Sequence, residues 1–297
     1  MSIFGMIVSG TIIIAGLIAV PLGALPEIFI LMIPPSIVAL VFSLITYSGA
    51  DISLRFGEFA ASNNATYESG RPYDERPGMM FGSGHSKKFT DIVTFSNGLI
   101  AEIGVFKCTT GSGKSRQDHY YSYVRVKLPR RLPNMILDSK QNNSFGGRLS
   151  NLPQGFSVDQ HLSLEGDFDS HYNLYVPEQY HRDALYVFTP DVMHALVDSA
   201  RNYDCEVIDD SFYIFADSPT RPTKLTMIQE MTVIAQRVGR EISEQADTYA
   251  DERIGDRSQN VIAEHGAKIK THIPPAVIAG AAIGLLLLLA QLLDALF

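Results

Sequence analysis

All 24 lysine and arginine residues of this chain lie between Arg55 and Lys270, so both ends of the sequence lack basic side chains. The N-terminal end holds two uncharged apolar stretches, residues 3–25 and 28–47, and the C-terminal end holds a third, residues 274–293. Each stretch is close to the roughly 20 apolar residues that a helix needs to cross a bilayer. The sequence therefore predicts three membrane-spanning helices, two before and one after a polar region.

The placement of basic residues also predicts an orientation. Arg55 follows the second stretch and Lys268 and Lys270 precede the third, whereas the short link at 21–27 carries no lysine or arginine. By the positive-inside rule, the polar region then lies in the cytoplasm. This predicts a multi-pass protein of the cell (inner or plasma) membrane, with the lipid bilayer as a partner. A cleaved signal peptide is the alternative for the first stretch, which lacks a basic start.

The overall charge disfavours some partners. The chain has 32 acidic and 24 basic residues and a formal net charge of −8. A negative polar region is not suited to bind nucleic acid or an anionic surface through bulk charge. Its two cysteines, Cys108 and Cys205, are far apart in sequence and form no CxxC motif, which is typical of buried thiols in a reducing compartment.

Composition divides the chain into four predicted regions. These are two transmembrane helices (1–50), a cytoplasmic domain (51–222), an amphipathic helix with a linker (223–272) and a third transmembrane helix (273–297). In the cytoplasmic domain, two β-rich runs flank Asn97-Gly98, which is a strong hairpin signal. The expected fold class is α+β, with a mostly antiparallel sheet and covering helices.

Other segments of the domain have strand or helix patterns. Strands are predicted at 120–128, 135–137, 172–176, 184–188, 206–209 and 212–216. A short helix is predicted at 53–62, and another starts at Pro190 with Thr189 as its N-cap. The stretch 63–88 is polar and rich in glycine and proline, and no helix or strand is predicted there.

A helix is predicted from Lys224 to about Ile254, and it carries an apolar stripe with alternating spacings of three and four residues. The stripe either packs on the domain's own sheet or pairs with a partner helix as a coiled coil. In the third apolar stretch, small residues would permit close helix approach. Together these positions are the candidate interaction residues: Ile228, Met231, Ala235, Val238, Ile242, Gly280 and Gly284.

Two motifs invite a chemical interpretation. Residues 111–115 read GSGKS, but Cys108 stands where a phosphate-binding loop needs its first glycine, and strands flank the segment on both sides. We interpret it as a hairpin loop. His85, between glycine and lysine residues, lacks the context of a nucleophile. No catalytic residue and no cofactor are therefore predicted.

An acidic segment, residues 159–171, holds the candidate metal ligands Glu165, Asp167, Asp169 and His171. These residues, like Asp159 and His161, have odd numbers, so an extended strand would place them on one face, where they could hold a divalent cation. The alternative is a solvated turn, which Gly166 favours.

Several phrases together resemble a known family. They are PGMMFGSGH (77–85), LSLEGDFDSHYNLYVP (162–177), RDALYVFTPDVM (182–193) and EVIDDSFYIFA (206–216). They resemble an uncharacterised family of bacterial, mainly actinobacterial, membrane proteins with a cytoplasmic α+β domain. The resemblance implies the topology described above, and it implies no activity or ligand.

Two functions are compatible with these patterns. The first is a non-enzymatic, membrane-anchored interaction or scaffold module, an accessory of a membrane complex that binds a membrane protein or a second copy of itself. The second is a membrane-bound, metal-dependent hydrolase that uses the acidic segment 159–171.

Overall fold

A seven-stranded antiparallel sheet organises the computed structural model, which describes residues 52–144, 150–218 and 226–272. The strands are β1 (Ala65–Pro72), β2 (His85–Phe95), β3 (Ile100–Thr110), β4 (Gln117–Ser139), β5 (Gly155–Phe156), β6 (His161–Leu162), β7 (Tyr172–Tyr175), β8 (Asp204–Ser218) and β9 (Thr271–His272). The helices are α1 (residues 52–62), α2 (Met79–Gly82), α3 (Phe168–His171), α4 (His181–Val187), α5 (Pro190–Ser199), α6 (Thr226–Thr248) and α7 (Glu264–Ala267). The sheet runs β1-β2-β3-β4-β7-β6, with β8 paired to β4, while β5 and β9 form a separate pair.

Strand β4 is the central strand of the sheet, and β8 pairs with it from Tyr120 to Leu137. On its other edge, β3 pairs with the first half of β4 and β7 with the last residues. Two register shifts interrupt the pairing with β8 near Pro129 and Pro133. Proline cannot donate a backbone hydrogen bond, so its position at bulges is expected. The bulges allow the long strand β4 to pair with β3 along its first half and with β7 at its end.

Both faces of the sheet are covered, and alternate side chains of the central strands enter different cores. On β8, Phe212 and Ile214 face a core that includes the helices, whereas Tyr213 and Phe215 face the opposite side. The opposite core is closed by the segment around Phe81 and by the C-terminal part of the described chain. The fold therefore has a helical layer on one face and irregular segments on the other.

The stripe of α6 packs on the domain's own sheet. Ile228, Met231, Ala235, Val238 and Ile242 are fully buried in the helix-side core. These five candidate interaction residues are thus core residues and form no free surface for a partner, because the face they share is already covered by β4. Gly280 and Gly284 lie outside the described residues.

Several sequence predictions are confirmed. Strands β2 and β3 pair across Asn97-Gly98, and β3 and β4 pair across the GSGKS loop. Thr189 caps α5, since its hydroxyl oxygen accepts a hydrogen bond from the Val192 amide at 3.4 Å. The α+β class with an antiparallel sheet is also confirmed.

Other predictions about local structure are wrong. Residues 184–188 belong to α4 and the turn after it; Ala184, Val187 and Phe188 are buried at helical spacing. The predicted strands at 206–209 and 212–216 are one strand, because β8 pairs with β4 on both sides of Asp209, whose positive φ of 57° lies at a register shift. Strand β1 is not predicted, because an edge strand with mostly polar side chains lacks the apolar pattern of a central strand.

The membrane topology predicted from the apolar ends needs correction. Among the described residues, no helix combines the length and the apolar character that crossing a membrane requires. The longest helix among them, α6, is amphipathic, because one face packs on the sheet and the other is exposed and includes charged side chains. The predicted hairpin at 3–25 and 28–47 and the closing span at 274–293 lie outside the described residues. The fold class is therefore corrected to α+β with an antiparallel sheet and no membrane span among the described residues, which give no support to the multi-pass membrane location.

We expect Gly239→Ala to destabilise the fold although alanine favours helices. A Cβ atom at Gly239 would lie 2.7 Å from a methyl carbon of Val126 on β4. Overpacking of this kind costs about 1–3 kcal/mol, against a gain of roughly 1 kcal/mol in helix propensity. Chemical denaturation measures the net effect. Gly255→Ala is the control, since a Cβ there meets nothing within 4 Å; equal stability of both variants would contradict the close helix–sheet contact.

Candidate functional site

A cavity of about 500 Å³ lies on the sheet face opposite the helices. Its floor is formed by β4 and β8, and its walls by the segment around α2 and the segment from Ile262 to Thr271. Most of the lining is apolar and includes Met79, Leu132, Ile136, Ile208 and Ile269. A cavity of this volume with apolar walls and a few polar groups is typical of a small-molecule site.

Glu206 is the buried acidic group on the cavity floor, and it is 1% exposed. One carboxylate oxygen accepts a hydrogen bond from the Met79 amide at 2.7 Å. The other accepts a hydrogen bond from the Asn134 side-chain amide at 2.9 Å. Among the described residues, no lysine, arginine or histidine forms an ion pair with Glu206. The N–H groups of Met79 and Asn134 thus stabilise the Glu206 carboxylate, and no opposite charge among the described residues does so.

Burial raises the pKa of Glu206 to about 7, although its hydrogen bonds from Met79 and Asn134 act in the opposite direction. Burial disfavours the charged form of a carboxyl group, and two neutral donors offset only part of that effect. Near neutral pH, Glu206 is therefore close to the point where it gains or loses a proton. A carboxyl group in that state can accept or donate a hydrogen bond.

The α2 wall is held in place by a buried ion network. Glu102 binds Arg76 at 2.6 Å and Arg71 at 2.8 Å, and it accepts a short hydrogen bond from the Tyr123 hydroxyl. The Arg76 guanidinium also lies 4.3 Å from the centre of the Phe89 ring. Burial alone would raise the pKa of Glu102, but these partners outweigh it and lower the pKa. The network fixes the chain just before Gly78.

Gly78 makes the turn into α2 possible. Its φ of 136° is accessible to glycine and strained for other residues. A Cβ atom there would lie 2.8 Å from the Phe81 ring and 3.5 Å from a carboxylate oxygen of Glu206. This conformation directs the Met79 amide toward Glu206.

The second wall is attached to the sheet by side-chain amides. The Ile269 amide donates a hydrogen bond to the Asn134 side-chain oxygen at 3.2 Å. Gln160 donates to the Lys270 carbonyl and accepts from the Lys270 amide, both at 2.8 Å. Asn134 therefore bridges Glu206 on the floor to the wall above it.

Charged side chains lie at the rim of the cavity. Arg131 forms an ion pair with Asp209 at 3.0 Å, and both residues are partly exposed. Lys268 lies on the exposed second wall. The opposite charges of Arg131 and Asp209 compensate each other. Glu206 is therefore the main charged group in the interior of the cavity.

The candidate metal ligands do not form a common site. Asp167 is 81% exposed and lies 3.6 Å from His171, whereas Asp169 accepts a hydrogen bond from the Leu164 amide at 3.0 Å. Glu165 is exposed. Within the described residues, no three His, Cys, Asp or Glu side chains converge on a position for a metal ion. The expected common face is absent because the segment turns into α3.

Two other sequence motifs have structural roles. The GSGKS segment is a short 3-10 turn in the β3–β4 hairpin, where Ser112 and Ser115 cap each other. His85 lies at the start of β2, and its Nε2 is 2.9 Å from the Gly111 carbonyl oxygen. His85 thus ties β2 to the hairpin loop.

A pair of buried acidic residues lies at the far end of β4. Asp138 is hydrogen-bonded by Asn143 at 3.0 Å and by Asn173 at 3.1 Å. Asp204 accepts hydrogen bonds from the Ser139 amide at 2.9 Å and from Asn142 at 3.0 Å. Burial raises the pKa of Asp204 to about 7, and the nearby charge of Asp138 acts in the same direction. Neither Asp138 nor Asp204 lines the cavity, so we assign the pair to fixing the β4 end.

Comparisons with known proteins leave the function open. No protein-family model matches the chain, and no curated protein matches it. Among solved structures, the crystal structure of the mycobacterial trehalose monomycolate transport factor A, TtfA, is similar with a TM-score of 0.40 and 14% sequence identity. The similarity covers 65% of this chain and 93% of that chain. A likeness at this level carries no functional assignment. The resemblance to an actinobacterial membrane family stays a prediction.

We expect Glu206→Gln to reduce the pH dependence of stability. The pKa of Glu206 is about 7 in the fold and near its usual 4.5 when unfolded, so the native state holds an extra proton between these values. Stability from this group is highest below about pH 4.5 and falls as the pH rises to 7, by about 3 kcal/mol in total. The variant should lose most of this decrease between pH 5 and pH 8, as measured by denaturant unfolding.

Stability is compared between pH 5 and pH 8 within each variant, so any effect of the substitution that does not depend on pH cancels. Glu165→Gln, at an exposed position, should keep the pH dependence of the unaltered protein. If Glu206→Gln showed the same decrease as the unaltered protein, the raised pKa assigned to Glu206 would be wrong.

We expect Glu102→Gln to destabilise the fold by about 1.5–3 kcal/mol, because Arg76 loses its buried counter-charge and keeps only the half-exposed Asp74, at 2.8 Å. Glu68→Gln is the matched control: Glu68 is 46% exposed and lies 3.7 Å from Arg71, so its loss should change stability by less than about 1 kcal/mol. Urea denaturation gives both values. Similar small effects in the two variants would argue against the network as the anchor of the α2 wall.

Proposed function

We propose that this domain is a non-catalytic binding module that takes up a small, largely apolar molecule in the cavity on the β4–β8 face. The observation that carries the proposal is a cavity of about 500 Å³ with apolar walls and a single buried carboxyl group on its floor. Apolar walls favour uptake of an apolar body, and the polar floor provides orientation.

The composition of the walls supports binding and not catalysis. Among the described residues of the lining, Thr271 and Lys268 are the hydroxyl and amino groups that could act as nucleophiles, and no histidine lies beside them in the lining to serve as a base. Asn134 uses its amide on Glu206 and its oxygen on Ile269, which leaves it occupied as a structural bridge.

The attachment of the second wall supports a connection between the cavity and the rest of the chain. This wall leads directly to His272, the last residue before the undescribed C-terminal end. Occupation of the cavity would press on Ile269, and hence on the Gln160 and Asn134 contacts that hold the wall. A binding module of this kind would serve as an accessory component, and its expected protein partner or homo-oligomer stays a prediction.

We expect the full-length chain to bind the uncharged fluorescent probe N-phenyl-1-naphthylamine, and Ala267→Trp to abolish this binding. Ala267 lines the cavity but is exposed, so a tryptophan there fills the opening without repacking the core. Probe fluorescence at increasing protein concentration measures the affinity. A bound ligand also stabilises the native state in proportion to the logarithm of its concentration, which thermal unfolding detects.

Ala61→Trp is the matched control, because Ala61 is exposed on α1 and does not line the cavity. This variant should bind the probe as the unaltered chain does. No probe binding by the unaltered chain, or equal binding by Ala267→Trp, would refute the cavity as a ligand site.

A further inference from the structure

Glu206 connects both walls of the cavity to its floor, through Met79 and Asn134, but it does so as a buried acidic group with no cation beside it among the described residues. A glutamate in the middle of a buried strand loses its hydration, and such groups are normally paired with a cation. Here its immediate partners are the Met79 amide and the Asn134 amide, both of them neutral. On the same face of β8, the two neighbouring positions hold Ile208, which packs in this core, and the buried carboxyl group of Asp204.

Neither protonation state of Glu206 is complete within the described protein. When charged, it has two hydrogen bonds and no counter-ion. When protonated, it carries an additional donor, while Met79 and Asn134 offer it only N–H groups. The open volume beside the carboxyl group is the cavity itself. A partner that completes the site must therefore enter through the cavity.

The distribution of charge around the cavity indicates which partner fits. The charged groups that face it are Glu206, Asp209, Arg131 and Lys268. Arg131 is engaged with Asp209 at 3.0 Å at the rim. Lys268 lies on the exposed wall and forms the outer boundary. The buried end of the cavity is thus acidic and its sides are apolar.

We propose that the cavity binds a hydrophobic amine, with its ammonium group against the Glu206 carboxylate and its apolar body between Met79, Ile208 and Ile269. This inference rests on the proposed function and specifies its ligand class. An ammonium group supplies the opposite charge that Glu206 lacks, and charge-assisted hydrogen bonds are stronger than neutral ones. The apolar body gains free energy from the walls in proportion to the area it buries.

Three adamantane compounds that differ in one group test the inference. They are 1-adamantylmethylamine, which is cationic at pH 7.5, the neutral 1-adamantanemethanol and the anionic 1-adamantanecarboxylate. Displacement of N-phenyl-1-naphthylamine from the full-length chain gives the three affinities. The amine should bind about tenfold or more tightly than the alcohol, since hydrogen bonds to charged groups exceed neutral ones by about that factor, and the carboxylate should bind most weakly.

Two variants identify the group responsible. Glu206→Gln should bring the affinities of the amine and the alcohol to within about twofold, because the carboxylate charge is gone while the walls remain. Asp159→Asn removes the same charge from an exposed position that does not line the cavity, so it should keep the preference for the amine.

The outcomes separate this inference from the proposed function. Binding of the fluorescent probe with equal affinities for the amine and the alcohol would overturn the amine assignment and leave the cavity as a ligand site. Tighter binding of the carboxylate would overturn it in favour of Lys268 as the recognition group. Absence of binding by every probe would overturn both proposals. A preference for the amine in the unaltered chain is informative even if Glu206→Gln does not fold.

Discussion

The pairing of β4 with β8 is the interaction on which the rest of the structure depends. It holds two long strands together from Tyr120 to Leu137, and every layer of the fold rests on one of their two faces. Alternate side chains along these strands supply the helix-side core and the opposite core at the same time. A change in register by one residue would exchange the two faces and place Glu206 among the helices.

The sequence predicted those elements whose pattern is local. The hairpin at Asn97-Gly98, the cap at Thr189 and the stripe of α6 depend on nearby residues, so they are readable without the fold. The prediction of a strand at α4 is wrong because Ala184-Leu185-Tyr186-Val187 has the composition of a strand, while its burial follows a helical period. Strand β1 was missed because an edge strand needs few apolar residues when its backbone pairs with β2.

The cavity could not be predicted, because its parts are distant in sequence. Glu206 stands at the start of the strand-like run EVID, where an acidic residue beside apolar ones looks like the solvent-facing side of a half-exposed strand. Its burial follows from the α2 segment and the 262–271 segment, which no local pattern connects to β8. Strand β8 carries further acidic residues, among them Asp204 and Asp209, so no pattern within the strand singles out Glu206. The acidic segment 159–171 was more conspicuous and yet forms a turn.

The closing wall joins residues that are far apart along the chain: Asn134 to Ile269 and Gln160 to Lys270, separations of 135 and 110 residues. Contacts of such long range form late, because the chain must first lose the entropy of a large loop. The pocket is therefore a product of completed folding, and Glu206 is in contact with water until the last segment docks. A chain released before residue 270 would carry an ordinary, solvated glutamate at this position.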